Sequence, residues 1–166
     1  EVFGPDKKRG APGHQEIEIG LVKLYRVTGD QKYLDLAKFF LDERGQPDRH
    51  KLYGKYSQDH KPVVDQEQAV GHAVRAVYMY SGMADVASLT GDSEFIQAID
   101  RIWEDVVSQK LYITGGIGAT GAGRSKPKHH PLGRHDQGHA GGFRAQAVWR
   151  GAGQAVPEGH PDSPGG

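Results

Sequence analysis

Cysteine is absent from the 166 residues. Its absence excludes disulfides, thiolate nucleophiles and cysteine-type zinc sites built from these residues. Long apolar runs are missing too, so no segment reads as a bilayer span. The amino terminus, Glu1-Val2-Phe3-Gly4, shows no basic stretch followed by an apolar one. With no initiating Met either, the expectation is a cytoplasmic chain that begins inside a longer protein. A surplus of either charge sign is also lacking: Lys plus Arg and Asp plus Glu are 21 each. No net field therefore draws the protein toward nucleic acid or an anionic membrane, and neither is expected as a partner. Hydrophobic residues are few, at 36% with a mean hydropathy of −0.64, so part of the chain is expected not to form core.

That part is easily located. From about His14 to Gly116 the chain alternates helical periodicity with turn signals, whereas residues 124–166 have no apolar periodicity. The latter segment holds 9 of the 24 glycines, 5 of the 9 prolines and 5 of the 9 histidines. Such a mixture buries too little apolar surface to offset its ordering entropy. The expected organisation is one folded portion, residues 1–123, followed by a disordered tail, residues 124–166.

Within the folded portion, Ile17, Leu21, Val22, Leu24 and Tyr25, broadened by Ile19, mark one helix that stops at Thr28-Gly29-Asp30. Asp30 can cap a second, in which Tyr33, Leu34, Ala37, Phe40 and Leu41 recur at three- and four-residue steps until Gly45. The short connection predicts an αα-hairpin. The same device returns. A longer helix is predicted from about Asp65, carrying Val70, Val74, Val77, Tyr78 and Met83 to Thr90-Gly91-Asp92. Its partner carries Phe95, Ile96, Ile99, Ile102, Trp103 and Val106. Thr-Gly-Asp-Gln-Lys-Tyr-Leu at 28–34 answers Thr-Gly-Asp-Ser-Glu-Phe-Ile at 90–96, and a Gly-His pair precedes each copy, Gly13-His14 and Gly71-His72. The His-to-Thr spacings of 14 and 18 residues differ by about one helical turn. The fold class is therefore all-α, with αα-hairpin repeats from a solenoid or a closed toroid. Two pairs are fewer than the roughly three such arrays need, so the chain is expected to come from a larger assembly, and its uncovered faces to promote self-association.

Several motifs carry chemistry only in the right context. Gly116, Gly118 and Gly121 spell Gly-x-Gly-x-x-Gly, but no parallel βαβ unit surrounds them, so a loop that brings backbone close to a ligand or another segment is favoured over a dinucleotide site. His14 is either an exposed or locally bonded terminal residue or one facing a pocket at the helix ends. His72, beside Gly71 and among valines expected to be buried, is either a hydrogen-bonded core histidine or a ligand-facing one. Asp59 next to His60 either pairs or orients a sugar hydroxyl, or belongs to a polar loop closed by Pro62. Glu16, Glu18, Glu67 and Glu104 read as solvated helical carboxylates, with no pair marked as an acid/base couple. His129, His130, His135, His139 and His160 suggest a metal site only superficially. His135 and His139 have helical spacing, but Gly138, Gly141 and Gly142 argue against a helix, leaving adventitious nickel or zinc binding and no dedicated site.

Several of these segments, in order, resemble one family. They are Gly13-His-Gln-Glu-Ile-Glu18, Leu24-Tyr-Arg-Val-Thr-Gly-Asp30, Tyr33-Leu-Asp-Leu-Ala-Lys-Phe-Phe40, Tyr56-Ser-Gln-Asp-His-Lys-Pro62, Ala69-Val-Gly-His-Ala-Val-Arg-Ala76 and Tyr112-Ile-Thr-Gly-Gly-Ile-Gly118. The resemblance is to glycoside hydrolase family 127, the β-L-arabinofuranosidase family, and runs through most of residues 13–123. It implies an (α/α)6 toroid followed by β-sandwich domains, and removal of non-reducing-end β-L-arabinofuranose from glycans with retention. It implies a zinc-bound cysteine thiolate as nucleophile, a glutamate as acid/base, and zinc held by a Glu and further cysteines. By motif match His72, and less closely His14, correspond to sugar-contacting histidines.

The departures limit what the 166 residues are expected to do. The family's acid/base Glu would fall at position 124, where this chain has Arg124-Ser125, and no cysteine exists to serve as nucleophile or zinc ligand. No catalytic residue, zinc or other cofactor is therefore expected here. A one-base shift in Gly-Glu-Ala codons turns GGC-GAA-GC into CGA-AGC, or Arg-Ser, so residues 124–166 are expected to be an out-of-frame translation. The resulting expectation is an inactive portion of a glycosidase with His72 and His14 as substrate-binding residues. Its rival is a non-catalytic αα-repeat module that binds carbohydrate or protein.

Overall fold

A computed structural model describes residues 2–112 and 115–117. The tail 124–166, with Arg124 and its five histidines, lies outside the described residues, as do Gly118 and Gly121. Four helices form the described part: α1 (Ile17–Thr28), α2 (Gln31–Glu43), α3 (Ala73–Thr90) and α4 (Ser93–Gln109). Single 3-10 turns stand at Lys55–Ser57 and Val63–Asp65. Among the described residues β-structure is confined to isolated bridges. The architecture is all-α and made of helical hairpins, as the periodicity predicts.

The two Thr-Gly-Asp turns are the same object. Gly29 and Gly91 end α1 and α3 in the left-handed conformation, at φ 70° and 72°. The hydroxyls of Thr28 and Thr90 donate to Leu24 and Val86 carbonyls and accept from the N–H of Asp30 and Asp92. Each aspartate then caps the next helix, Asp30 through Lys32 N–H at 3.1 Å and Asp92 through Glu94 and Phe95 N–H at 3.1 and 3.2 Å. Lys38 ties the hairpins together, with Nζ 2.9 Å from Asp92 and 4.6 Å from the centre of the Phe95 ring.

α1 packs on α2 and on α3, and α3 on α2 and α4. Val22, Ala37, Leu41, Met79, Met83, Val86 and Ala98 are completely buried between them. Each large apolar side chain so placed contributes roughly 1.5–3 kcal/mol. Two expectations are corrected. First, Ile17 and Leu24 are 40% and 46% exposed, and the buried face of α1 is Glu18, Leu21 and Val22, with Tyr25 packed against the core. Glu18 is thus no surface carboxylate. Its Oε1 accepts from Arg44 at 3.2 Å, and Arg44 also donates to the Pro12 carbonyl at 2.9 Å. Burial raises the Glu18 pKa, and the Arg44 charge offsets part of that rise. Second, α3 begins at Ala73 and not near Asp65. Gln66 is extended, at ψ 134°, and Gly71 takes φ 77° where the chain passes against the Lys55 carbonyl, so no helix runs through to Ala73 from Asp65. The core face of α3 is accordingly Ala76, Met79, Tyr80, Met83, Val86 and Ala87, while Val74 is 36% exposed.

Candidate functional site

His72 is the N-cap of α3. Its Nδ1 accepts a long bond of 3.5 Å from Arg75 N–H, and its own N–H donates to the Tyr56 carbonyl at 3.1 Å. An accepting Nδ1 places the proton of the neutral ring on Nε2. The His72 ring meets that of Tyr56 edge-on at 5.4 Å between centroids. Tyr56 is 55% exposed, and Arg75 lies over its face with Cζ 5.5 Å from the centroid.

Arg75 also reaches the other histidine. Its guanidinium donates to the carbonyl of Gly13, the residue before His14. His14 is exposed ahead of α1, with its ring 5.8 Å from that of Tyr78, one turn along α3 from Arg75, and its Nδ1 3.8 Å from Glu16. A single run of contacts therefore joins both candidates: His14 with Tyr78, Arg75 with Gly13 and Tyr56, Tyr56 with His72. The face so formed combines an exposed aromatic ring, a guanidinium and two imidazoles, a set suited to a polyhydroxylated ligand that offers both apolar C–H surface and hydroxyls.

Beneath it lies a buried amide relay. Gln58 adopts a left-handed conformation, φ 53°, and its Nε2 faces the carbonyls of Val70 at 2.8 Å, Tyr56 at 3.2 Å and His72 at 3.3 Å. Gln15, next to His14, donates to Gln58 Oε1 at 2.7 Å and to the Ser57 carbonyl. Gln66 donates to the Gln58 carbonyl at 2.9 Å. All three glutamines are fully buried. Composition could not single them out, since glutamine usually marks surface; only their positions beside His14 and between turn signals hinted at a role.

Asp59 does not orient a sugar. It is 1% exposed and saturated by Gly45 N–H at 2.6 Å, Tyr53 N–H at 2.8 Å and His50 Nε2 at 3.1 Å, so it clamps the 45–59 loop. Its neighbour His60 is half-buried, with a pKa lowered by burial and then by the Lys55 and Lys61 charges. Of the carboxylates read as surface, Glu16, Glu67 and Glu104 are exposed and Glu18 is not. Leu111 bridges Ile117 and Tyr112 N–H donates to the Gly116 carbonyl, so residues 115–117 lie against the residues that follow α4. Among the described residues no group of three or more His, Asp or Glu side chains could hold a metal ion, and no helix is long and apolar enough to cross a membrane.

Residues 1–134 match the profile of the β-L-arabinofuranosidase GH127 catalytic domain. A non-reducing end β-L-arabinofuranosidase of Bifidobacterium longum subsp. longum is 39% identical over 145 aligned residues, covering 74% of this chain and 22% of that protein. A solved GH127 β-arabinofuranosidase is 66% identical with a TM-score of 0.68, over 72% of this chain and 18% of its own. The crystal structure of a GH127 β-L-arabinofuranosidase from Geobacillus stearothermophilus T6 is 42% identical with a TM-score of 0.66, over 73% of this chain and 22% of its own. This chain spans about a fifth of the length of these relatives. Its helical hairpins agree with a piece of an (α/α)6 toroid.

Proposed function

The chain belongs to the β-L-arabinofuranosidase family, in its GH127 catalytic domain, and from that premise we propose that it is part of a retaining glycosidase that releases non-reducing-end β-L-arabinofuranose. His72 and His14 stand on its sugar-facing wall. The observation that supports this reading most is the Arg75 bridge, which ties the Gly13-His14 loop to Tyr56 and His72 on one face. On that face the His72 Nε2–H donates to a sugar hydroxyl, the Tyr56 ring covers C–H surface, and Arg75 fixes both against rotation.

The family's zinc does not fit the residues present. The 166 residues include no cysteine, and the described ones offer no His, Asp or Glu group arranged for a metal. Position 124 carries Arg in place of a proton-donating Glu. The chain alone is therefore a binding wall without nucleophile or acid. These same departures favour a binding-only module as the second reading.

The test is hydrolysis of para-nitrophenyl β-L-arabinofuranoside, with zinc and reductant present, by the 166-residue chain and by a version continued from Gly123 in the frame that reads Glu-Ala, through the cysteines the family uses. Activity confined to the continued version, and lost in its His72→Ala variant, is the expected result. Turnover by the 166 residues would overturn the assignment of missing groups. Inactivity of both would leave the binding module.

A further inference from the structure

A cavity of about 310 Å³ opens beside the proposed sugar wall, lined chiefly by Phe3, Lys8, Arg9, His50, Lys51 and Tyr53 and ending at Gly13. We propose that this cavity is an accessory subsite for an acidic sugar, a uronate, whose carboxylate is held by Lys8 and Lys51 and whose ring lies against Tyr53. Its volume is near the lower end of the roughly 300–1,000 Å³ usual for small-ligand pockets, room for one sugar unit.

The charge distribution argues for an anion. In a chain with equal numbers of acidic and basic residues, this cavity has three cations in its lining and no carboxylate. The two carboxylates behind it are engaged. Glu43 accepts from Arg9 at 2.8 and 3.2 Å, from Gly10 N–H at 3.0 Å and from Arg49 at 3.1 Å. Asp59 is held by Gly45, Tyr53 and His50. Arg9 is thereby neutralised, whereas Lys8 and Lys51 have no carboxylate partner among the described residues. Lys8 instead sits 5.1 Å from the Phe3 ring centre. The surplus at the cavity is positive.

The walls are also set before any ligand arrives. Glu43 pins Arg9 and Gly10, Arg44 holds the Pro12 carbonyl and Arg75 the Gly13 carbonyl. Opposite them Tyr53, 61% exposed, has its backbone fixed by Asp59. An exposed aromatic ring near unpaired ammonium groups suits a sugar that carries a carboxylate better than a bare anion, which needs no ring, or a neutral sugar, which needs no cation. The wall runs through Gly13 directly into His14, so the subsite adjoins the arabinose wall. The inference rests on the proposed function for its place in the glycan, as the unit that bears or neighbours the arabinose, but not for its chemistry.

The experiment is an amide NMR titration of the 166-residue chain with sodium galacturonate, galactose, sodium phosphate and L-arabinose. Galacturonate is expected to shift Gly10, Lys51 and Tyr53, to bind more weakly as salt rises, and to bind roughly tenfold more tightly than galactose. Lys8→Gln/Lys51→Gln, both exposed and checked for helix content by circular dichroism, removes that preference, and His72→Ala retains it. Equal binding of galactose would overturn the role of charge, and equal binding of phosphate would overturn the sugar. L-Arabinose is expected to shift His14 and His72 in both wild type and the lysine variant. Its failure to do so alongside a normal galacturonate response would sink the arabinose wall and leave the acidic subsite standing.

Discussion

Gly71→Ala separates two costs that a glycine can hide. Gly71 and Gly91 share a left-handed backbone, φ 77° and 72°, so alanine at either incurs the same conformational penalty of roughly 1–2 kcal/mol. Part of it is offset because alanine also narrows the unfolded ensemble. Their surroundings differ. A Cβ at Gly91 meets nothing within 4 Å, whereas one at Gly71 stands 2.8 Å from both the Lys55 carbonyl carbon and Gln58 Nε2, and nearer still to the Lys55 oxygen. The backbone carbonyl cannot rotate aside like a side-chain end, because the Lys55–Ser57 turn holds it. Either residues 55–58 or residues 70–72 must move, and the Gln58 bonds to Val70 and His72 are lost with them. The expected cost is about 1 kcal/mol for Gly91→Ala and on the order of 4 kcal/mol for Gly71→Ala, a large share of the roughly 5–15 kcal/mol that holds a domain together. Urea unfolding followed by circular dichroism measures both. The His72 ring resonances should shift in the Gly71 variant alone. Equal losses in the two variants would refute the claim that close approach, and not φ, fixes glycine at 71.

Three further outcomes are expected. Asp59→Ala leaves the Gly45 and Tyr53 N–H groups and His50 without their acceptor and should cost roughly 3–5 kcal/mol in urea unfolding, with Asp59→Asn losing clearly less because one oxygen remains. Asp92→Ala should cost about 1–2 kcal/mol, since Asp92 caps α4 and also anchors Lys38 of α2; the same loss in a Lys38→Met background would show that the bridge contributes nothing. His60, its pKa lowered by burial and by Lys55 and Lys61, takes up a proton less readily folded than unfolded. Its contribution to stability is therefore fully present above the unfolded value near 6.5 and lost as pH falls below it, so urea midpoints at pH 5.5 and 7.5 should differ less in His60→Leu than in wild type.

The hairpins were legible because helix capping is a local device. Thr-Gly-Asp works through bonds that span only a few residues, so a short window of sequence contains the whole mechanism, and both copies fold as read. The start of α3 was not legible, because what breaks the helix before Ala73 is the approach of Gly71 to a carbonyl 16 positions earlier. Glu18 misled for a similar reason. A carboxylate on an amphipathic helix reads as solvated until Arg44 comes from the end of α2 to meet it.

The Gly-His repeat shows how far such reading extends into the site. The extra four residues between His72 and Thr90 were expected to be one more turn of helix; α3 is in fact 18 residues against 12 in α1, and part of that gain is offset because His72 directly precedes its helix while two residues separate His14 from α1. The two histidines are therefore not equivalent by symmetry. His72 is a cap whose tautomer is set by its own helix, and His14 stands on a loop that owes its position to Arg75 and to Gln15 beneath it. If both touch one sugar, their registration comes from the Gln15–Gln58 relay and the Arg75 bridge and not from the repeat. Gln58→Ala should then disturb the resonances of His14 as well as those of His72, although it contacts only the backbone of the second. A shift confined to His72 would mean that the two loops are placed independently and that the wall is not one unit.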